Sequence, residues 1–252
     1  MKKSKPLISV VMPAYNAQKH IGIAIESILN QTFKKFELII VNDASTDRTL
    51  SIIKSYSGKD ARILIINNAK QLDIAGSLNK GISKASSNII ARMDADDISL
   101  PNRLEAQYEL IKNSKKIAVV GANIVVMDPQ EKDISARSYP ERSKDLKKCF
   151  FKYSPFAHPV VMFRKKIFEE VGGYDPKYSP TEDLDLWFRM GMKHEFKSVP
   201  QLLLRYRLSE SSSSHSIIRR LEMLVFRIRI KAIVKYGYRP NIFDIIYNFM
   251  QF

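Results

Sequence analysis

A short acidic cluster contains the first residues that could bind a ligand or take part in catalysis. Asp94, Asp96 and Asp97 follow the apolar run of residues 89–93. An extended chain places Asp94 and Asp96 on the same side. Two carboxylates this close repel each other unless a cation joins them, and a divalent cation that also binds substrate phosphates would do so. The alternative is an acidic turn in which Asp97 caps the next helix.

Two more side chains follow apolar runs nearer the N-terminus. Asp43 comes after residues 36–41, where a carboxylate can accept hydrogen bonds from a base or a ribose. Tyr15 comes after residues 7–12 and offers a flat apolar face on which a nucleobase can stack. The alternatives are a turn cap for Asp43 and a packed aromatic for Tyr15. Together with the cluster at 94–97, these residues indicate a nucleoside diphosphate site.

A second acidic cluster, Thr181-Glu182-Asp183-Leu184-Asp185, precedes a predicted helix over residues 184–192. One interpretation is purely structural, because a Thr cap and acidic residues in the first turn stabilise a helix start. The other makes one of these carboxylates a general base directed at a metal-bound substrate.

The elements that must position these residues alternate along the first hundred positions. We predict strands at 7–12, 36–41, 63–66 and 89–93, and helices at 20–29, 46–56 (capped by Ser45) and 75–85. This alternation predicts an α/β fold with a mostly parallel sheet, whose ligands bind beyond the carboxyl ends of the strands. Neither a GxGxxG motif nor a Walker loop follows any of these strands, so a dinucleotide or P-loop site has no support.

The rest of the chain is less regular. We predict helices at 101–113, 165–171, 184–192 and 217–236, and strands at 117–127, 159–163 and 201–208. Residues 128–148 show little periodicity and are interpreted as a loop, either a lid, an acceptor-side segment or a plain surface excursion. The serine run at 211–214 is interpreted as a flexible connection into the final helix.

Composition narrows the class of protein. The chain has 252 residues, 41 Lys plus Arg against 26 Asp plus Glu, and 45% hydrophobic residues, which is far from the composition of disordered chains. A single cysteine, Cys149, excludes a disulfide framework and suits a cytoplasmic location. The basic residues form no nucleic-acid recognition pattern, so we expect no nucleic acid partner. We expect no membrane span, because no run of about 18 uncharged apolar residues occurs.

Taken in order, these motifs resemble the family-2 inverting glycosyltransferases of bacterial surface-polysaccharide synthesis. The resemblance covers roughly residues 6 to 208. The motifs that carry it are Pro13-Ala14-Tyr15-Asn16, Val41-Asn42-Asp43-Ala44-Ser45-Thr46-Asp47, Ala91-Arg92-Met93-Asp94-Ala95-Asp96-Asp97, His158-Pro159, Gly172-Gly173-Tyr174-Asp175 and Glu182-Asp183-Leu184-Asp185-Leu186-Trp187.

The resemblance implies a GT-A fold, the three-layer fold of nucleotide-diphospho-sugar transferases. A catalytic domain would span residues 1–210, with a nucleotide-binding half at about 1–127 and an acceptor half at about 128–210. Residues 211–252 would form a basic, amphipathic C-terminal helical extension.

The resemblance also implies roles for individual residues. Asp183 would be the catalytic base. Mn²⁺ or Mg²⁺ would be held by Asp96 with Asp94, and His215 is a candidate further ligand because Ser209 stands where the family often has His. The nucleotide-sugar would contact Pro13, Tyr15, Asp43, Arg92, Asp94, Arg205 and Arg207. The sugar and acceptor pocket would include His158, Gly173, Tyr174, Glu182 and Trp187, although Trp187 could equally belong to the core.

The implied reaction is a metal-dependent inverting transfer of a hexose or N-acetylhexosamine from a UDP-sugar. The acceptor would be a glycan or lipid-linked glycan of lipopolysaccharide, O-antigen or capsule synthesis. A nucleotidyltransferase-like enzyme and an inactive nucleotide-sugar-binding protein are the alternatives.

The final predicted helix carries an apolar stripe and many cations. Such a helix can lie on the anionic inner face of the cytoplasmic membrane, dock on the catalytic domain, or contact another subunit in an oligomer. The stripe consists of Ile217, Ile218, Leu221, Leu224, Val225 and Ile228, with Phe226, Ile230 and Val234 forming a second apolar side.

Overall fold

The structure is a computed structural model that describes residues 5–208 and 215–241, without the side chains of 215–218. The strands are β1 (Ile8–Ala14), β2 (Phe36–Asn42), β3 (Ile63–Asn67), β4 (Ile89–Arg92), β5 (Ile98–Ser99), β6 (Ile117–Met127), β7 (Asp133–Arg137), β8 (Met162–Arg164) and β9 (Glu195–Arg207). The helices are α1 (Ile21–Leu29), α2 (Thr49–Ser57), α3 (Asp73–Lys84), α4 (Arg103–Lys112), α5 (Ser143–Cys149), α6 (Lys165–Glu170), α7 (Glu182–Gly191) and α8 (His215–Tyr236).

The N-terminal half of the sheet is parallel. Strand β1 pairs with β2 on one side and β4 on the other, and β2 pairs with β3. Alternate residues of β1 face opposite layers, with Val10 and Met12 packed in one core cluster and Val11 in the other. Because both faces are covered, these strands are nearly continuous apolar runs, which is why the sequence predicted them well.

Helices cover both faces of the sheet. Buried residues of α1, α2 and α4 pack on one face, and buried residues of α3, α5, α6, α7 and α8 pack on the other. Helix α3 approaches the sheet closely at Gly81, where an added Cβ would lie 2.6 Å from the side chain of Val11 and 2.9 Å from that of Val41. The predicted three-layer α/β fold is confirmed.

The second half of the sheet is mixed. Strand β8 is antiparallel to both β4 and β6, β9 is parallel to β6, and β5 is antiparallel to β9. Across the described residues, the strands form one sheet in the order β3-β2-β1-β4-β8-β6-β9-β5, with β7 paired to β6. Both halves therefore meet at β4, the strand that leads into the acidic cluster at 94–97.

Several local predictions were wrong. Residues 128–148 are not a single loop, because they contain β7, which pairs with β6, and helix α5. All five residues of β7 are exposed, so no alternation marks them as a strand. Strand β9 begins at Glu195 rather than residue 201, and β8 begins at Met162 after a short 3-10 helix at His158–Val160. In each case the bounds of the strand follow from pairing with a neighbouring strand rather than from its own hydrophobic pattern.

Two predicted helix caps were also wrong. Helix α2 begins at Thr49, and the Ser45 hydroxyl oxygen instead accepts a hydrogen bond from the N–H of Asn16 at 3.1 Å. Helix α4 begins at Arg103, well after Asp97, which precedes β5.

Helix α8 docks on the helical layer that covers one face of the sheet. Ile228 and Ala232 are fully buried in the core cluster that α7 also joins. Met223, Ile230 and Val234 are exposed on the other side, so the predicted two-sided apolar character is confirmed for the described side chains. The serine run at 211–214 and the side chains of Ile217 and Ile218 lie outside the described residues. Among the described residues, none of the helices has the length and hydropathy needed to cross a bilayer.

Candidate active site

Two adjoining cavities lie beyond the carboxyl ends of the central strands. The first, which we call the strand-end cavity, has a volume of about 610 Å³ and is lined by Pro13, Tyr15, Asp43 and Asp94, all predicted to bind a nucleotide-sugar. The second, which we call the α7 cavity, has a volume of about 600 Å³. Its predicted residues are Arg92, Asp94, His158, Glu182 and Asp183.

The two cavities share three lining residues, Ile74, Asp94 and Pro180. Acidic residues from distant parts of the sequence therefore line two adjacent cavities with a common wall. This arrangement is what a donor site next to an acceptor site requires.

Hydrogen bonds between loops hold the walls of the strand-end cavity. Asp43 Oδ1 accepts from Asn68 Nδ2 at 2.7 Å and from the N–H of Leu72 at 2.9 Å. The loops after β1 and β2 are joined by the Thr46 N–H, which donates to Asn16 Oδ1 at 2.9 Å. Asp43 is therefore fixed at the cavity wall by β3 and its following loop, and not by a turn of its own.

The backbone of these loops is strained. Asn16, Ala44 and Asp73 have φ values of 48°, 58° and 59°, in the left-handed region that side chains disfavour. Asn16 and Ala44 directly follow the cavity-lining Tyr15 and Asp43, and Asp73 itself lines the cavity. Such strain persists only where surrounding contacts enforce it, and it is common at binding sites.

The acidic cluster fits a divalent cation. Carboxylate oxygens of Asp94, Asp96 and Asp97 lie within 4.8 Å of one another. Burial and the nearby Asp94 raise the pKa of Asp96 to about 6, and the same causes raise the pKa of Asp97 well above its usual range. Asp97 Oδ2 is buried without a hydrogen-bond partner. A hard cation would relieve this repulsion and satisfy the buried oxygen.

Asp97 was named with the acidic cluster but was not predicted as a metal ligand, and the structure places its carboxylate with those of Asp94 and Asp96. Its Oδ1 accepts from the N–H of Arg207 on β9 at 2.9 Å, while Arg207 Nε donates to the carbonyl of Asp96 at 2.9 Å. The two adjacent acidic residues Asp96 and Asp97 were the signal in the sequence, but their contact with Arg207 of β9 could not be predicted from it.

Helix α7 brings Asp183 into the second cavity. Burial raises the pKa of Asp183 above its ordinary value of 3.8, although the Leu184 N–H, the Ser154 hydroxyl and the charge of Arg92 act in the opposite direction. Ser154 Oγ donates to Asp183 Oδ2 at 3.2 Å. Asp183 is half-buried, and a carboxylate with a raised pKa that lines a cavity has the properties of a general base.

Glu182 and His158 lie beside Asp183. Burial and the charge of Asp183 raise the pKa of Glu182 to about 7, and Glu182 Oε2 has no hydrogen-bond partner. Burial and Arg92 lower the pKa of His158 well below 6.5, so His158 is neutral at pH 7. Its Nε2 lies 2.8 Å from the hydroxyl of Tyr174. The neutral His158 and the partly protonated Glu182 therefore lie together at the α7 cavity.

Three predicted pocket residues lie behind the cavity lining. Trp187 is fully buried and packs edge-on against Phe156 at 5.7 Å between ring centroids, so its core interpretation is favoured. Its indole N–H makes no hydrogen bond of standard geometry, although it lies close enough to Asp183 to favour the charged carboxylate. Gly173 has φ of +69°, and Tyr174 is held by Asn79 and His158.

The predicted β9 cations are engaged elsewhere. Arg205 pairs with Asp133 of β7 at 2.7 Å, and Arg207 pairs with Glu131 at 2.9 Å. Neither lines the strand-end cavity or the α7 cavity, so their contact with a donor stays a prediction that this arrangement does not favour. Arg207 is 5% exposed, which makes it a positioning residue for the acidic cluster. The side chain of His215, the other candidate metal ligand, lies outside the described residues.

The sequence prediction missed several residues that line the two cavities. In the α7 cavity these are Arg137, Tyr139, Tyr153, Ser154 and Tyr206, of which the first two come from the region interpreted as a loop. In the strand-end cavity they are Gln71, Asp73, Ser77, Lys177, Arg220 and Leu221. Some of these residues lie on loops and others on β7, α3, β9 and α8, and no motif in the sequence assigned any of them to a cavity.

Comparison with known proteins defines the class of this protein. The model of the family "Glycosyl transferase family 2" matches residues 9–172. The chain is 37% identical to an uncharacterized glycosyltransferase of Methanocaldococcus jannaschii over 224 residues, which are 87% of this chain and 77% of the relative. It is 34% identical to the O-antigen biosynthesis glycosyltransferase WbnJ of Escherichia coli over 250 residues, 97% of this chain and 96% of that protein.

Solved structures share the fold at low sequence identity. TarS 1–349 of Staphylococcus aureus in complex with UDP-GlcNAc has a TM-score of 0.74 at 18% identity, covering 94% of this chain and 68% of that chain. The mannosyltransferase PcManGT of Pyrobaculum calidifontis, in complex with GDP-Man and Mn²⁺, has a TM-score of 0.68 at 15% identity, covering 98% and 74%. The chain belongs to glycosyl transferase family 2 and is a glycosyltransferase with the GT-A type of fold.

Proposed function

We propose that this glycosyltransferase transfers a hexose or N-acetylhexosamine from a UDP-sugar to a glycan or lipid-linked glycan, with inversion at the anomeric carbon. The reaction would serve surface-polysaccharide synthesis, such as O-antigen, lipopolysaccharide or capsule. The observation that carries the proposal is that the strand-end and α7 cavities are adjacent and share Asp94 in their lining. A donor in the first cavity and an acceptor in the second would meet there.

The strand-end cavity supplies the donor subsite in this proposal. Tyr15 is 48% exposed, which leaves its ring available to stack on a nucleobase. Asp43, fixed by Asn68 and Leu72, would accept hydrogen bonds from the uridine. The UDP-GlcNAc complex of TarS supports a uridine donor, and the GDP-Man complex of PcManGT shows that the fold also accepts guanosine donors.

The acidic cluster would hold Mn²⁺ or Mg²⁺ through Asp94, Asp96 and Asp97. When bound, the cation would neutralise the charge that develops on the departing diphosphate. Arg207 fixes this cluster by holding the Asp96 carbonyl and the Asp97 carboxylate. Arg92 donates to Asp94 and so holds the carboxylate that both cavities share.

Asp183 would act on the acceptor. An acceptor hydroxyl is a poor nucleophile, so a carboxylate must take its proton as its oxygen bonds to the anomeric carbon. The raised pKa of Asp183 makes this carboxylate a stronger base than an exposed one, and the Ser154 hydroxyl orients it. One displacement without a covalent intermediate inverts the anomeric carbon, so an α-linked donor gives a β-glycoside.

The test is turnover of sugar nucleotides by the full chain. UDP-glucose, UDP-galactose, their N-acetylated forms and GDP-mannose are incubated with Mn²⁺ or with EDTA, and release of the nucleoside diphosphate is measured by mass spectrometry. We expect release from at least one UDP-sugar and none with EDTA. Turnover of GDP-mannose alone would contradict the uridine donor, and full turnover in EDTA would contradict the cation.

Substitution of the two neighbouring acids assigns the base. Asp183→Asn is expected to reduce kcat by about 10² to 10⁴, while UDP binding with Mn²⁺ stays near the wild-type value. Glu182→Gln, the matched control one residue away, is expected to cost far less. Unchanged turnover in Asp183→Asn would remove Asp183 from the mechanism.

The same assays distinguish the alternative functions. A nucleotidyltransferase would release pyrophosphate from a nucleoside triphosphate, and an inactive binding protein would bind UDP without turnover.

The outer side of α8 supports a peripheral position on the inner face of the cytoplasmic membrane. Met223, Ile230 and Val234 are exposed there, next to the exposed cations Arg219 and Arg227. Apolar residues flanked by cations bind anionic bilayers. Co-sedimentation with phosphatidylglycerol vesicles, absent with phosphatidylcholine vesicles and in Ile230→Ser/Val234→Ser, is the expected result, and equal sedimentation with both would contradict it.

A further inference from the structure

The C-terminal helix α8 contributes to the strand-end cavity. Arg220 and Leu221 line this cavity together with Tyr15, Asp43 and Asp94. The helix lies beyond the region that the family model matches, residues 9–172. It therefore adds a wall to the donor subsite that the shared motifs do not supply.

The helix is held firmly against the part of the chain that carries the candidate base. Lys231 Nζ donates to Asp185 Oδ1 at 2.7 Å, and Arg189 Nε donates to Asp185 Oδ2 at 2.8 Å. Asp185 is fully buried on α7, two residues after Asp183. Breaking a buried ion pair leaves an uncompensated charge, so this contact opposes separation of α8 from α7.

A second contact ties α8 to the cavity wall itself. Lys231 Nζ lies 4.5 Å from the ring centroid of Tyr178, which ends the 3-10 helix Pro176–Tyr178. Pro176 and Lys177 of that segment line the strand-end cavity. Eleven residues separate Arg220 from Lys231, about three helical turns, so both side chains lie on the same face of α8. The anchoring of Lys231 therefore directs Arg220 toward the cavity.

The charges in the cavity identify what Arg220 would bind. Among the described residues that line it, Asp43, Asp73 and Asp94 are acidic, while Lys177 and Arg220 are cationic. A nucleotide-sugar brings a doubly charged diphosphate into this space. A guanidinium binds phosphate oxygens through two parallel hydrogen bonds, which a lysine cannot match.

We infer that Arg220 is a donor-binding residue whose guanidinium contacts the diphosphate of the nucleotide-sugar from α8. This inference rests on the proposed function, since it requires a nucleoside diphosphate donor in the strand-end cavity. It makes the docked C-terminal helix part of the donor site rather than an accessory segment.

Binding of UDP and of uridine, each with Mn²⁺, tests the inference on the full chain by calorimetry. Arg220→Gln is expected to weaken UDP binding about tenfold and to leave uridine binding within twofold, because uridine has no phosphate. Arg220→Lys is expected to fall between Arg220→Gln and the wild type. Arg219→Gln, the neighbouring exposed arginine outside the cavity, is the matched control and should bind UDP as the wild type does. Thermal melting of each variant verifies that α8 remains docked.

The outcomes separate this inference from the proposed function. Wild-type UDP affinity in Arg220→Gln, an equal loss in Arg219→Gln, or an equal loss for uridine would each overturn the role of Arg220 while the donor class stands. If the wild-type protein itself binds no UDP, the proposed donor class is wrong and the inference falls with it.

Discussion

The two halves of the sheet differ in how they build the site. In the donor half, parallel strands β1, β2 and β4 each deliver a site residue from the loop at its carboxyl end, in the order of the sequence. In the half that we propose binds the acceptor, β6, β8 and β9 are mixed in direction, and the cavity is assembled from helix α7, a 3-10 turn and the side chains of Tyr139, Tyr153 and Tyr206. In the proposed assignment, the donor subsite is formed by a repeated supersecondary unit, whereas the acceptor subsite depends on one particular arrangement of unlike elements.

This contrast suggests that the two halves of the sheet have different roles. Repeated βα units hold a common donor by a common geometry, and the irregular half is free to vary with the acceptor. Substitutions in the donor half should therefore change binding of the nucleotide, and those in the acceptor half should change turnover alone. The following experiments test that division, beginning with the largest expected effect.

Removal of one carboxylate from the acidic cluster should have the largest effect. Asp96→Asn is expected to weaken Mn²⁺-dependent UDP binding by about a hundredfold or more, because a cation ligand is lost. Calorimetry with and without Mn²⁺ measures it. Glu109→Gln, an exposed acid of α4 paired with Lys112, is the control and should have no effect. Retained metal-dependent binding in Asp96→Asn would place the cation elsewhere.

The pH dependence of turnover reports on the acceptor half. A base must be ionised to accept a proton, and burial raises the pKa of Asp183, so kcat should fall about tenfold per pH unit below that raised pKa and level off above it. The Glu182 carboxyl, with a pKa raised to about 7, also faces Asp183 and Arg92. The fall of kcat at low pH is the acidic limb of the pH profile. If this limb disappears in Glu182→Gln, it reports the ionisation of Glu182, and the assignment of Asp183 as the base is wrong.

Loss of the stacking face should affect the donor half alone. Tyr15→Ala is expected to weaken UDP binding about tenfold, since stacking of a base on an aromatic ring contributes about 1 to 3 kcal/mol. Tyr15→Phe keeps the ring and should bind as the wild type does. A loss in both variants would mean that the hydroxyl, rather than the ring, makes the contact.

The hydrogen bond to Asp183 should have the smallest effect. The Ser154 hydroxyl stabilises the ionised carboxylate, so its loss in Ser154→Ala raises the pKa of Asp183 further. We expect kcat to fall by about two- to fivefold at neutral pH and the acidic limb to move to higher pH, with UDP binding unchanged. Ser138→Ala, another serine of the α7 cavity, is the control. An unmoved limb would show that Ser154 does not act on the base.

The accuracy of the sequence predictions follows the same division. Strand β1, helix α1 and strand β2 were predicted within one or two residues, because their burial on fixed faces leaves a regular apolar pattern. Strand β7 was missed because all of its residues are exposed, and the start of β9 was missed because exposed and buried residues alternate irregularly there. Hydrophobic periodicity in a sequence reflects which side chains are buried. It does not detect a strand that is defined only by backbone pairing with a neighbour.

The sequence by itself determined the family, the parallel half of the sheet and the acids at its strand ends, since these follow from local patterns and ordered motifs. The tertiary structure alone decided that Asp97 is held beside Asp96 by Arg207, that Trp187 is core, and that Arg220 of α8 lines the strand-end cavity. Each of these contacts joins residues far apart in the chain. Such contacts leave no periodic trace in the sequence, because a single ion pair or hydrogen bond constrains only its two partners.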